Sequence, residues 1–244
     1  PAAAKLLLDH PEPITFLTSE TDAPVDTPNA LDPALYFAIR TARQTMLTLV
    51  QDRTRSICDR LALVLLLAIR TQSLLDAEKL ESIPVLCQRF LTKHLQTRQL
   101  VRLRRMRRAN ADFFPLWLLL RNMEHLTPDF PTLLDRCAHA KCPDALFFDN
   151  YAQQIENLSV YFLFRYVMKA AVDSRLFERA ASCIFHVLSI SCLFPYLPEQ
   201  TPEHFRALCS LYSKEVEHSE DNLELLYRSI RRGAFRTNTL FSLL

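Results

Sequence analysis

Six arginines fall within eleven residues, at Arg98, Arg102, Arg104, Arg105, Arg107 and Arg108. On a helix, Arg98, Arg102 and Arg105 share one face and Arg104 and Arg108 another, because residues three and four apart are surface neighbours. Guanidinium forks match the oxygens of carboxylates and phosphates. One reading is a docking site for an acidic partner or a nucleic-acid backbone, with Arg98, Arg102, Arg105 and Arg108 as its contacts. The other is a solvated helix whose arginines pair with acids elsewhere in the fold, which the near-zero net charge favours. No aromatic residue interleaves with the run, which argues against single-stranded nucleic acid.

Three further groupings could carry chemistry. Cys137, His139 and Cys142 place three candidate metal ligands within six residues. A structural zinc site needs a fourth ligand, usually from a second closely spaced pair; the chain offers no second cluster, so no metal site is assigned. Glu217 and His218 are an acid and a base side by side, but adjacent residues on a helix do not face each other. Glu156 and Asn157 are polar exceptions in an aromatic stretch of Tyr151, Tyr161, Phe162, Phe164 and Tyr166, with Arg165 nine residues beyond Glu156. A buried polar group must find a partner, so an intramolecular network is expected there rather than a catalytic one. His186, in an apolar run, reads as a core residue. Spacing alone supports no Ser/His/Asp or Cys/His arrangement, and no catalytic residue is assigned.

The elements that position these groups follow from composition. The chain has 244 residues, 29 Lys and Arg against 27 Asp and Glu, 7 Cys, 14 Pro and one Gly. Average usage would supply roughly 17 Gly. With one, Rossmann fingerprints, P-loops and nucleophile elbows are excluded, since each needs two or more at fixed spacing. The Gly-containing hairpin turns that signal β-structure are missing too. The fold class expected is all-α: a single domain of about eight or nine helices over 31–244, after a mostly irregular segment over 1–30. Asp32-Pro33, Thr127-Pro128 and Thr201-Pro202 read as cap-plus-Pro helix starts. Ser56 opens a capping box, and the helix after it, with Leu65 and Leu66, is apolar almost all round, so it belongs in the core together with Ile184 and Leu188. Long helices are expected from Pro84 to about Arg108, with a break, and from Asp144 to about Val172. Gly233 is the stop signal of the last long helix.

The cysteines stand 5 to 50 positions apart, mostly in apolar helical runs, and read as buried thiols of a reducing cytoplasm. The longest apolar run, Leu61 to Ile69, is shorter than a membrane span needs, so no membrane is expected as partner. The chain opens at Pro1 and not at Met, which reads as a fragment or a processed product.

Several stretches together resemble the flagellin lysine N-methylase family. Ile155-Glu156-Asn157-Leu-Ser-Val-Tyr-Phe-Leu-Phe-Arg165-Tyr is similar to a helix in that family's C-terminal half. Tyr212-Ser-Lys-Glu-Val-Glu217-His218-Ser-Glu-Asp-Asn222-Leu is similar to a stretch near its C-terminus. Ile39-Arg40 to Arg60-Leu61, with Gln51-Asp-Arg53 between, matches a pair of its helices. The opening Pro1 to Ile14 resembles the segment that follows the family's last N-terminal cysteine.

The resemblance implies a bacterial protein that transfers methyl groups from S-adenosylmethionine to flagellin lysines. It also implies an N-terminal Cys-rich part holding a metal or iron–sulfur centre. The cysteines of this chain do not match that motif. The chain is therefore expected to be the helical C-terminal region, positioning substrate or supporting the metal-bearing part, and to be inactive alone. Glu156, Asn157, Arg165, Glu217 and His218 are the polar anchors that carry the match. Two readings stand beside it: a non-enzymatic module that binds an acidic partner through the Arg run, and the ligand-binding domain of a transcription regulator.

Overall fold

Side-chain caps set where the helices of this chain begin. Asp32 accepts the Ala34 amide at 2.9 Å, Ser56 the Asp59 amide at 3.3 Å, Thr201 the His204 amide at 3.3 Å and Ser219 the Asn222 amide at 3.2 Å. Each satisfies one of the donors that a helix leaves unpaired in its first turn. The structure, a computed structural model, describes residues 2–16, 32–105, 113–138, 145–233 and 237–244.

The helices in order are α1 (Ala2–Leu8), α2 (Pro33–Val50), α3 (Ile57–Asp76), α4 (Ile83–Phe90), α5 (Lys93–Arg104), α6 (Phe114–Arg121) and α7 (Asp129–Arg136). They continue as α8 (Ala145–Asn150), α9 (Ala152–Tyr166), α10 (Ala170–Asp173), α11 (Leu176–Leu193), α12 (Pro202–Tyr212), α13 (Glu220–Arg231) and α14 (Thr237–Leu243). The structure is 79% helical, without strands among the described residues, and forms a single all-α domain. Gly233 follows α13 with φ of 75°, a left-handed conformation that costs glycine nothing.

The helices outnumber the eight or nine expected because two long stretches are broken, the first where a break was expected, and because α14 follows Gly233. Between α4 and α5, the Gln96 side chain donates to the Phe90 carbonyl at 2.8 Å. That carbonyl ends α4 without needing the next turn. The stretch expected from Asp144 to Val172 is interrupted at Tyr151 and by a 3₁₀ turn at Val167–Lys169. Thr127, expected from the sequence to cap the next helix, does not. Pro128 holds that place, and the Thr127 hydroxyl donates to Glu215. His139, Cys142 and Arg108 lie outside the described residues.

α11 runs through the centre, against α3, α9 and α13, while α2 packs on α3, α4 and α9. Leu65, Ile184 and Leu188 are fully buried as expected, but Leu66 is only partly buried. It shares the outward face of α3 with Ile69 and Arg70, three and four positions on, which are partly exposed too. Leu176–Tyr196 is long and apolar enough to cross a membrane, with a mean hydropathy of 1.4, which the reading of apolar runs missed; 89% of that window is buried against the other helices.

Truncating Leu65 to Ala should cost about 2–5 kcal/mol, the transfer of the lost methyls plus the cavity left between α3 and α11. Urea denaturation checks this, and a cost below about 1 kcal/mol would contradict a central place for α3.

Candidate functional site

α9 carries two polar systems, one at each end, and both are pinned by groups distant in sequence. Near its start, Glu156 is 1% exposed. Its carboxylate receives Arg60 at 2.5 Å and Arg53 at 2.9 Å. Arg60, itself 4% exposed, also donates to the Val50 carbonyl at 2.8 Å. A buried carboxylate is tolerable only with such pairing. The next residue, Asn157, donates to the carbonyls of Leu8 at 3.2 Å and His10 at 2.9 Å. Gln153 donates to His10 as well, and Arg53 to Pro11. Arg206 reaches Asp9 at 2.6 Å. The chain after α1 is therefore strapped down by side chains of α9, α12 and the α2–α3 turn.

Toward the other end of α9, Tyr161 and Tyr166 both donate to Glu217 Oε1, at 2.6 and 2.8 Å. Ser213 donates to Oε2 at 2.6 Å. Arg165 lies 3.4 Å from Oε1 and donates to the Tyr161 hydroxyl at 2.6 Å. Burial would raise the Glu217 carboxyl, but the three hydroxyls and Arg165 outweigh it and hold it below the ordinary carboxylate range. Burial and the Glu217 charge push Tyr161 up to about 12. The carboxylate is thus ionised and saturated with donors, and Tyr161 stays a neutral donor.

Glu217 ends a π turn, Ser213–Glu217, and His218 follows as its C-cap, its amide donating to the Ser213 carbonyl at 2.9 Å. Such widened turns insert one residue and recur at functional sites. Here the turn places Glu217 inside and His218 outside, yet both line one cavity of about 370 Å³. The helical argument that neighbours do not face each other holds for their side chains but not for the space they share. The cavity floor is apolar, from Leu158, Phe162 and Ile190; its rim is Ser210, Lys214 and His218; and Leu7 and Leu8 of α1 form one wall.

The structure thus brings Arg165 and Glu217 together, with His218 beside them, and it places Glu156 and Asn157 in the separate strap. Arg98, Arg102 and Arg105 are exposed along α5 and at its C-cap, and none of them pairs with Glu156 or Glu217. Arg104 is spent on buried Asp59. Sequence reasoning expected Glu156 to need a partner but did not name Arg53 and Arg60. It also missed Tyr161, Tyr166 and Ser213 as ligands of Glu217. Only the local spacings, Tyr161 to Arg165 and Ser213 to Glu217 at four residues, carried a signal.

The thiols do not fit a metal centre. The six described cysteines are all buried. Burial pushes Cys137 up to about 12 and raises Cys87, Cys183 and Cys209 as well, so these thiols stay protonated in the fold as it stands. Among the described residues no three His, Cys, Asp or Glu side chains converge on a point that could hold a metal ion.

A family profile described as the C-terminal domain of FliB lysine N-methylase matches residues 43–243. No curated protein and no solved structure matches the chain.

His186 lies behind this site in α11. Its ring stacks on Phe162 with centroids 4.8 Å apart, and Nδ1 is 2.9 Å from the Tyr212 hydroxyl. Burial pushes its pKa down from 6.5 to about 4, with Glu217 pulling weakly the other way. The folded state therefore keeps His186 neutral where the unfolded chain would protonate it. Its stability is complete above pH 6.5 and is lost as pH falls toward about 4. Glu217 is also depressed, so its share is present above 4.5 and is lost as pH falls below that. Denaturation midpoints measured against pH should lose the upper limb in His186→Phe and the lower limb in Glu217→Gln. A profile identical to the parent in both variants would rule these assignments out.

Proposed function

The chain belongs to the FliB lysine N-methylase C-terminal domain family, and from that membership we propose that it is the substrate-positioning part of an enzyme that methylates flagellin lysines. The family membership favours this over a separate interaction module or a regulator's ligand-binding domain. The observation that carries the reading is the cavity against α9. Its apolar floor of Leu158, Phe162 and Ile190 suits the aliphatic stem of a long side chain, which buries its methylenes and keeps its polar end at the edge. Its rim residues, Ser210, Lys214 and His218, meet the backbone of a protein substrate.

Of the polar anchors of the family match, His218 stands on the rim and the other four serve this site indirectly. Arg165 and Glu217 fix Tyr161, a wall of the cavity. Glu156 and Asn157 fix the strap that holds α1, the opposite wall. They are positioning residues. Because α1 borders the opening, a Cys-rich part of the kind the family carries ahead of this region would lie beside the same cavity. The methyl donor, S-adenosylmethionine, and a metal or iron–sulfur centre belong to that part in this reading. The buried thiols among the described residues do not gather into such a centre.

Two measurements test the proposal. Ser210 is exposed at the rim, so Ser210→Trp fills the mouth without disturbing the core. In the parent enzyme it should raise KM for flagellin by about tenfold with kcat little changed, the pattern of lost binding. An unchanged KM in a folded variant would place the substrate elsewhere. Incubating this chain alone with flagellin and S-adenosylmethionine should give no methyl mass shift. A shift absent from the no-enzyme control would put the chemistry within these residues.

A further inference from the structure

α3, α4 and α5 meet around a recess of about 90 Å³ whose walls include Arg70, Arg89 and Gln99. Arg70 lies over the Phe90 ring at 5.6 Å, and its Nη2 donates to Gln99 Oε1 at 3.1 Å. Those contacts aim the guanidinium and leave its charge uncancelled. Arg89 ends α4, exposed. Arg102 stands three residues after Gln99 on the same face of α5, and Arg98 one turn before it, both exposed. Three helices thus deliver cations to one place.

Arg53, Arg60, Arg104, Arg179, Arg206 and Arg231 each meet a carboxylate. Among the described residues, Arg70, Arg89, Arg98 and Arg102 meet none. Arg105, Arg175 and Arg228 also lack a carboxylate among the described residues, but they do not line this recess. Burial, followed by the neighbouring charges of Arg89 and Arg102, pushes the Arg70 pKa down. Like charges that repel within the fold weaken it. An external anion would remove that cost.

We propose that this recess binds a carboxylate from an acidic segment of a protein partner. Charge complementarity selects the anion, and the surroundings select a protein. Val85 on α4, one turn before Arg89, is 57% exposed, and Leu91 between the two helices is 44% exposed. Arginine set among exposed apolar side chains is the composition of protein contacts. A nucleic-acid strand would use aromatic faces for stacking, and α4 and α5 expose none. The Arg run singled out in the sequence is thereby split. Arg102, with Arg98 beside it, joins Arg70 and Arg89, which lie outside the run, while Arg104 is held by Asp59. The proposal is independent of the cavity at α9, which other helices build.

The test uses the whole chain with a short fluorescein-labelled poly-glutamate peptide, read by fluorescence anisotropy. Single-stranded oligothymidylate is the competing probe. Arg89 and Arg102 are exposed, so Arg89→Gln with Arg102→Gln leaves the core intact. The peptide should bind at low salt and dissociate at high salt. The double variant should weaken it by about tenfold, whereas Arg228→Gln, exposed on α13, should leave it unchanged. Absence of peptide binding, or equal binding by the double variant, would overturn the proposal. So would tighter binding of oligothymidylate that the double variant abolishes, since the site would then read a phosphate backbone.

Discussion

The buried ion pair between Arg60 and Glu156 is the constraint on which the rest of the fold leans. Arg60 belongs to α3 and Glu156 to α9, and α11 packs against both. Joining them closes the slot in which the central helix α11 lies. Removing one partner of such a pair leaves a charge stranded in a low-dielectric interior, typically at a cost of about 3–5 kcal/mol. The Val50 carbonyl accepts from Arg60 and Arg53 donates to the carboxylate, so the turn between α2 and α3 is fixed by the same group of contacts. Asn157, one residue on, extends it to the chain after α1.

The second buried carboxylate works by different means. Glu217 is held by three hydroxyls, with one guanidinium at its edge. Hydroxyls donate without bringing charge, so the acid keeps its negative charge with less positive charge beside it. The π turn makes this geometry available by adding a residue to the helix at the point where Glu217 must turn inward. Glu215, two residues earlier, also points inward, to the Leu126 amide at 2.7 Å. Asn222 takes the Glu124 carbonyl at 2.8 Å and the Glu215 carbonyl at 2.8 Å. One short widened turn therefore secures α9 on one side and the loop before α7 on the other.

The helical class was legible because it depends on local rules: caps at Asp32, Ser56, Thr201 and Ser219, and a chain with a single Gly. What was not legible depends on contacts between distant residues. Tyr151 breaks a helix, yet it is an acceptable helix residue by propensity. Leu66 lies on the outward face of α3 beside Ile69, where of its near neighbours only Arg70 marks that side as polar. Glu156 declared its need for a partner by its aromatic surroundings, but Arg53 and Arg60 are about a hundred residues away and nothing local ties them to it. The Arg run misled because a cluster in sequence is not a cluster in space. Arg104 and Arg102, two positions apart, serve opposite purposes.

The scattering of cysteines through the interior gives the molecule a set of built-in clocks. Cys58 sits in α3, Cys87 in α4, Cys183 and Cys192 in α11 and Cys209 in α12. A thiol-modifying reagent can reach each one only when its own helix loosens. The rate at which a given site is alkylated therefore measures the free energy of opening that part of the structure. Two of these probes lie on one helix at the centre, so their relative rates would tell whether α11 comes away as a unit or frays from one end.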